Sequence, residues 1–177
     1  SGMCTAGRIL HHLKHNIWNP KNSIVFVGYQ AENTVGRNIV EGDKEIEIIA
    51  QSKTIAVALP GASVGLGCAF APARKIIDKG GALAIASDWN PGSAPMGDLV
   101  CQASILATFE KLTTAEVFAG ITFRAAAALN LFDRGRLIAG NKADFILYPS
   151  TDYREILYYQ GSMRPSKIWK SGKLVSA

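Results

Sequence analysis

The sequence predicts an α/β fold: strands and helices of a partial (β/α) barrel, preceded by a short α/β fragment and followed by a small β-sandwich-like unit. Three observations carry this expectation. The first is Ala82-Leu83-Ala84-Ile85-Ala86, an unbroken apolar run that ends in Ser87-Asp88-Trp89-Asn90-Pro91-Gly92-Ser93, an acid followed by a rigid turn. A strand buried on both faces reads as such a run, and parallel barrels collect functional groups where their strands end. The second is the alternation of strand-like and helix-like segments from about Lys53 to Leu129, the order of a parallel α/β layer. The third is length: the chain has 177 residues, and a closed (β/α)₈ barrel takes about 250, so the barrel is partial.

Taken in order, Gly7 to Ile17 predicts a helix with Ile9, Leu10, Leu13 and Ile17 on one face. Asn19-Pro20 stops it, because proline cannot continue the hydrogen-bond ladder and disfavours helical geometry in the residue before it. Ser23 to Tyr29 reads as a short strand, Thr34 to Val40 as a helix, and the alternation in Glu45 to Ile49 as an edge strand. Thr54 to Leu59 is apolar and closes at Pro60-Gly61, as a strand does. Ala71 to Lys79 predicts a helix closed by Gly80-Gly81, and Ala82 to Ser87 the next strand. Asp98 to Lys111 predicts a helix with Leu99, Ala103, Leu106 and Leu112 near one face. Thr113-Thr114-Ala115-Glu116 has the form of a capping box opening a helix to about Leu129. After Asp133-Arg134-Gly135 come short strands at Gly135-Arg136-Leu137, Ala143 to Tyr148, Pro165 to Lys170 and Lys173 to Val175, with a hairpin turn at Ser171-Gly172. Three units are expected: residues 1–52, 53–132 and 133–177.

Composition narrows the function classes. At 48% apolar the chain can bury a core and shows no disordered bias. The net charge of +5 is spread over separated residues, from Lys14 and Arg37 to Arg164 and Lys170, with no basic block, which favours a solvated surface over a nucleic-acid patch. Cys4, Cys68 and Cys101 are odd in number and widely spaced, without a CxxC pair, so neither a disulfide framework nor a zinc knuckle is indicated and a reduced, cytoplasmic setting fits. No apolar stretch approaches the roughly 18 residues of a membrane span, and the charged, His-rich segment Arg8 to His15 is unlike a signal peptide.

Asp88 is the first candidate for chemistry. A carboxylate at the end of a parallel strand can bind a divalent cation or take a proton from metal-bound water. Asn90 and Ser93 add neutral polar groups, and Gly92 allows close backbone approach of a ligand. The alternative is an Asx-type turn, since Asp and Asn are common turn formers. Both readings stand on the residues alone.

Leu59-Pro60-Gly61-Ala62, Asp88-x-Asn90-Pro91-Gly92-Ser93, Thr113-x-x-Glu116-x-x-x-Gly120-Ile121-Thr122, Ala125-Ala126, Leu129-x-Leu131, Asp133-Arg134-Gly135 and Gly140-x-Lys142-Ala143-Asp144 occur in that order. With this order and spacing, residues from about 53 to 177 resemble the C-terminal part of the imidazolonepropionases, metal-dependent amidohydrolases of histidine degradation. The resemblance implies a divalent metal, zinc or iron, associated with Asp88 after the last barrel strand. It implies substrate or product contacts at Asn90, Gly92 and Ser93, with imidazolonepropionate as the small-molecule substrate. It implies hydrolytic opening of the imidazolone ring to N-formimidoylglutamate, by a metal-bound hydroxide attacking the ring carbonyl. The tail from Gly135 would be part of a small β-sandwich. Asp144 is then a structural strand start. The family's early HxH, its later histidines and its glutamate are not found here, and His11, His12 and His15 lie outside the matching region. Catalytic zinc normally takes three protein ligands, more than Asp88 alone supplies. The expected function is a hydrolase of the amidohydrolase class that is incomplete and inactive as this chain.

The first 48 residues differ. Ser1-Gly2-Met3-Cys4, Gly7-Arg8-Ile9-Leu10-His11-His12-Leu13-Lys14, Val25-x-Val27-Gly28-Tyr29-Gln30-Ala31 and Thr34-x-Gly36-Arg37 resemble a piece of the metallo-β-lactamase-fold ribonucleases with a β-CASP insert. The family's HxHxDH motif is not in this sequence. An RNA-binding or ribonuclease-derived fragment is therefore the alternative function. His11 and His15 stand one helical turn apart, but the H-E-x-x-H pattern would need Glu where His12 stands, so a solvated or capping role is expected. Cys68 and Cys101 read as small core residues, and Trp89 as either a pocket wall or rim packing. A half-barrel leaves strand edges and helix stripes uncovered, so pairing of exposed apolar faces in a homo-oligomer is a further expectation.

Overall fold

The computed structural model describes residues 43–176. The helices expected at Gly7 to Ile17 and Thr34 to Val40, the strand at Ser23 to Tyr29 and the three histidines lie outside the described residues. The described elements run α1 (Asp43–Gln51), β1 (Ile55–Ala58), α2 (Pro60–Leu66), α3 (Ala73–Asp78), β2 (Ala82–Ile85), α4 (Leu99–Glu110), α5 (Thr114–Ile121), α6 (Phe123–Ala128), β3 (Phe145–Leu147), α7 (Arg154–Tyr158), β4 (Lys167–Lys170) and β5 (Lys173–Ser176).

Strands β1 and β2 pair in parallel, from Ile55 opposite Ala82 to Ala58 opposite Ile85. Successive side chains leave a strand on opposite faces, and the two faces bury two different clusters. Ala56, Ala58, Leu83 and Ile85 join Ile46, Ile49, Ile76, Leu106 and Val117 on one side. Val57, Leu59 and Ala84 meet Ala62, with Ala125 and Ala128 packed against them, on the other. These strands are short and wholly apolar because helices cover both faces. Among the described residues the fold is mixed α/β and the parallel sheet has two strands, so no barrel closes.

In the α/β part three expectations are corrected. Glu45 to Ile49 is part of helix α1, not an edge strand. Over five residues the alternation fits either period, and the i, i+3 pair Ile46 and Ile49 decides it: both are buried against α3, while Ile48 is exposed and Glu47 pairs with Lys79 at 2.5 Å. Pro60-Gly61 opens helix α2, with proline in its first turn where a missing N–H costs nothing. The helix expected from Thr113 to Leu129 breaks at Thr122, whose backbone leaves helical geometry (φ −122°, ψ −101°). The Thr122 hydroxyl donates to the Phe118 carbonyl at 2.5 Å, a local bond that competes with the ladder. The backbone of Gly135 presses on the same break: a Cβ there would stand 2.7 Å from Phe123 Cα.

The capping box forms as expected. Glu116 N–H donates to Thr113 Oγ1 (3.3 Å), and Thr113 N–H to Glu116 Oε2 (2.7 Å). Asp98 caps α4 by accepting from Cys101 N–H at 2.9 Å.

The tail is a three-stranded antiparallel sheet, order β3-β4-β5. Phe145 and Trp169 are cross-strand partners with stacked rings 4.5 Å apart. The β4–β5 turn is Ser171-Gly172, both at positive φ (49° and 76°), the geometry that matches the twist of a two-residue hairpin. Gly135 to Leu137 forms no strand, and the short helix α7 stands where the sequence pattern predicts no element.

Candidate functional site

The turn after β2 holds every residue singled out for chemistry. Pairing with β1 continues one residue past β2, with Ala86 N–H donating to the Ala58 carbonyl at 3.0 Å. The chain then reverses at Asp88, whose φ is +55°. Asp is among the few residues other than glycine that enter this left-handed region readily. Asn90 organises the rest of the turn. Its Oδ1 accepts from Gly92 N–H and Ser93 N–H, both at 2.9 Å. Its Nδ2 donates to the Asp88 carbonyl (2.6 Å), to Asp88 Oδ2 (3.0 Å) and to Ser93 Oγ (2.9 Å). Ser93 Oγ in turn donates to Asp88 Oδ2 at 3.0 Å. A two-residue bridge between Asn90 and Ala94 closes the turn. The stretch is an Asx-type turn, and its hydrogen bonds hold the Asp88 carboxylate by Oδ2. Both side-chain bonds to the carboxylate fall on Oδ2, so Oδ1 takes none from the described residues. Asp88, Asn90 and Ser93 are half-buried, and Gly92 is exposed.

Trp89 is 77% exposed, and its ring lies over Gly97, where a Cβ would stand 2.6 Å from the indole Nε1. Cys68 and Cys101 are free thiols of intermediate exposure rather than core residues. Burial, and secondarily the Asp98 carboxylate, push the Cys101 thiol up. Asp144 precedes β3 and accepts from Ser171 N–H at 2.7 Å, a structural bond to the hairpin.

Two residues that the sequence pattern does not single out stand behind the turn. A Cβ on Gly65 of α2 would overlap the Ser93 carbonyl oxygen. Gln102 of α4 is fully buried, and its Oε1 accepts from Gly61 N–H at 3.1 Å. The signals that point to them are the small residues at 61, 62, 63 and 65 and a lone amide among Leu99, Ala103 and Leu106.

Displaced titrations lie away from the turn. The Arg74 guanidinium, bonded twice to Glu116 at 2.9 Å, holds that carboxyl down at about 2. Arg134 and then Lys142 hold Asp133 at about 2, and Arg154 does the same for Asp152. A cleft of about 470 Å³, lined by residues such as Leu99, Phe118, Ile121, Leu137, Phe145 and Ile156, opens between α4, α5 and the tail; no residue of the Asp88 turn lines it.

The fit of a metal ion can be tested on these groups. Among the described residues no group of three or more His, Cys, Asp or Glu side chains could hold an ion. Asp88 offers one carboxylate, short of the three protein ligands that catalytic zinc normally takes. The described residues do not fit a metal ion by themselves.

Against known proteins, the chain is similar to imidazolonepropionases. It is 38% identical to that of Deinococcus deserti over 134 residues, 76% of this chain and 34% of the relative. It is 38% identical to that of Bacillus cytotoxicus over 146 residues, 81% of this chain and 34% of the relative. The chain spans about a third of the length of the curated relatives it matches. The Beta-Casp domain family matches residues 1–39. Among solved structures, an atrazine chlorohydrolase from Arthrobacter aurescens complexed with zinc superposes with a TM-score of 0.72 at 17% identity, covering 96% of this chain and 38% of that one. An adenosine deaminase from Xanthomonas campestris with bound zinc gives 0.69 at 19%, covering 100% and 44%. An amidohydrolase from a Sargasso Sea sample gives 0.70 at 19%, covering 97% and 40%. At these identities the structures establish a shared fold. No helix among the described residues is long and apolar enough to cross a membrane.

Proposed function

We propose that this chain carries the C-terminal share of a hydrolase of the amidohydrolase class, whose complete form opens the ring of imidazolonepropionate. In this reading residues 1–52 are a ribonuclease-like fragment, 53–132 the barrel share and 133–177 the small β-unit. Asp88 is the reacting carboxylate and the one protein ligand that this part contributes to a divalent metal, zinc or iron. Asn90, Gly92 and Ser93 form the substrate rim. The role of each residue comes from its bonds. Ser93 and Asn90 hold Oδ2 of Asp88, which leaves Oδ1 to receive a proton or a cation. Gly92 is exposed and carries no side chain, and its N–H is held by Asn90 Oδ1, so the turn presents bare backbone to an approaching ring. The described residues supply no further ligand set, so in this reading the chain is inactive alone. The observation that supports the reading is the pairing of Asp88 at the end of β2, its carboxylate oriented by Asn90 and Ser93, with the similarity to imidazolonepropionases over the same stretch.

The test has two arms. The chain alone, supplied with zinc or iron and imidazolonepropionate, is expected to leave the ring absorbance unchanged; turnover would overturn the claim of incompleteness. Residues 53–177 joined in one chain to the preceding part of the Deinococcus deserti relative are expected to restore ring opening, and Asp88→Asn to abolish it. A folded chimera without activity, or one indifferent to that substitution, would sink the hydrolase reading.

A second reading rests on the Beta-Casp match over residues 1–39. If that segment binds single-stranded RNA through its cations, affinity must fall as salt rises. Filter binding with no affinity, or with no salt slope, disposes of it.

A further inference from the structure

We infer that Gln102 is a positioning residue for the Asp88 turn and acts through helix α2. A fully buried side-chain amide needs a reason, because an unpaired polar group in a core costs stability. Only half of this amide is satisfied: Oε1 accepts from Gly61 N–H at 3.1 Å, while Nε2 is buried without a partner. Methionine would fill the same volume on α4 and bury no unpaired amine. The bond to Gly61 is therefore what the glutamine contributes. Gln102 packs directly on the Gly61 backbone: a Cβ on Gly61 would stand 2.5 Å from Gln102 Nε2 and displace the amide from its bond. One helical turn along α2, Gly65 admits no side chain, because a Cβ would overlap the Ser93 carbonyl oxygen. Helix α2 is thus pinned at its start by Gln102 and rests one turn later on the backbone of Ser93. Ser93 is the residue whose hydroxyl holds Asp88 Oδ2. A shift of α2 toward or away from α4 moves Ser93 and with it the orientation of the carboxylate.

The purpose of this relay rests on the hydrolase reading, but the relay is read directly in the folded chain, so a failed activity assay leaves its test intact. Amide hydrogen exchange is measured on the full chain. Gln102→Met keeps the volume and removes the acceptor; protection of the Gly92 and Ser93 amides is expected to fall about tenfold, a local opening, while the Glu116 amide in the Thr113 capping box stays unchanged. A purely structural loss would lower all of them together. Gln102→Glu keeps an acceptor oxygen and is expected to retain protection at Gly92 and Ser93. Wild-type protection at those two amides in folded Gln102→Met, or its loss in folded Gln102→Glu, overturns the assignment.

Discussion

In the α/β part, Ala56, Ala58, Leu83 and Ile85 are each at most 3% exposed, whereas in the tail sheet Ile146, Leu147, Leu174 and Val175 are 52%, 49%, 53% and 59% exposed. The apolar residues are of the same kind, and the strands are of similar length. The difference lies in connection. Strands β1 and β2 run parallel, so the chain must cross from the end of one to the start of the next through α2 and α3, and these helices, with α1, α4, α5 and α6, cover the sheet faces. Strands β4 and β5 are antiparallel and need only the Ser171-Gly172 turn, so nothing in the connection covers their faces. The first region stores its stability in buried volume, the second in a turn and one aromatic stack. The oriented acid follows β2, where packing on both sides holds the backbone still.

Substitutions in the two regions put pressure on this contrast. Leu83→Ala is expected to cost about 2–5 kcal/mol, because it empties a fully enclosed site, against about 1 kcal/mol or less for Leu174→Ala in the tail; urea midpoints for the two variants give the answer, and equal costs would break the contrast. Arg74→Ala should lower the urea midpoint by less than Leu83→Ala does, because it leaves Glu116 and Asp78 without their shared cation in a solvent-screened pair. The same pair sets a pH dependence. Glu116 titrates at about 2 in the folded chain, chiefly through its bond from Arg74, against an ordinary 4.5. A depressed carboxyl adds stability that is fully present above its unfolded value and is lost as pH falls through the folded one. Stability should therefore decline from about pH 5 toward pH 2, and Glu116→Gln should flatten that decline in urea titrations. Trp169→Ala removes the stack on Phe145 and should cost about 0.5–1.5 kcal/mol beyond the lost contact area, with amides of β3 and β4 losing exchange protection before those of β1 and β2. Ile146→Ser, on a face already wet, should fall within about 0.5 kcal/mol of wild type in the same urea measurement.

Much of this could be read in advance. The apolar runs of β1 and β2, the Thr113–Glu116 box and the Ser171-Gly172 hairpin are each specified by adjacent residues, and each forms. The turn at Asp88 was legible for the same reason, since Asp, Asn, Pro and Gly state their backbone preferences locally. The misreadings share a cause. Glu45 to Ile49 is too short for its period to decide between strand and helix, and burial of Ile46 and Ile49 against α3 chose the helix. The break at Thr122 comes from a hydroxyl bonded back to Phe118 and from Gly135, thirteen positions later, lying on Phe123. Gln102 escaped notice because its partner Gly61 is 41 residues away.

Local order alone fixes the apolar strands β1 and β2, the Thr113–Glu116 box and the acid that ends β2, because those outcomes depend on neighbours within about one turn. Only the tertiary structure decided which faces are dry, that α2 lies between Gln102 and Ser93, and that Oδ2 rather than Oδ1 of Asp88 is the oxygen held. These depend on distances between segments remote in the chain, and side-chain packing and close backbone approach, not local preference, set such distances.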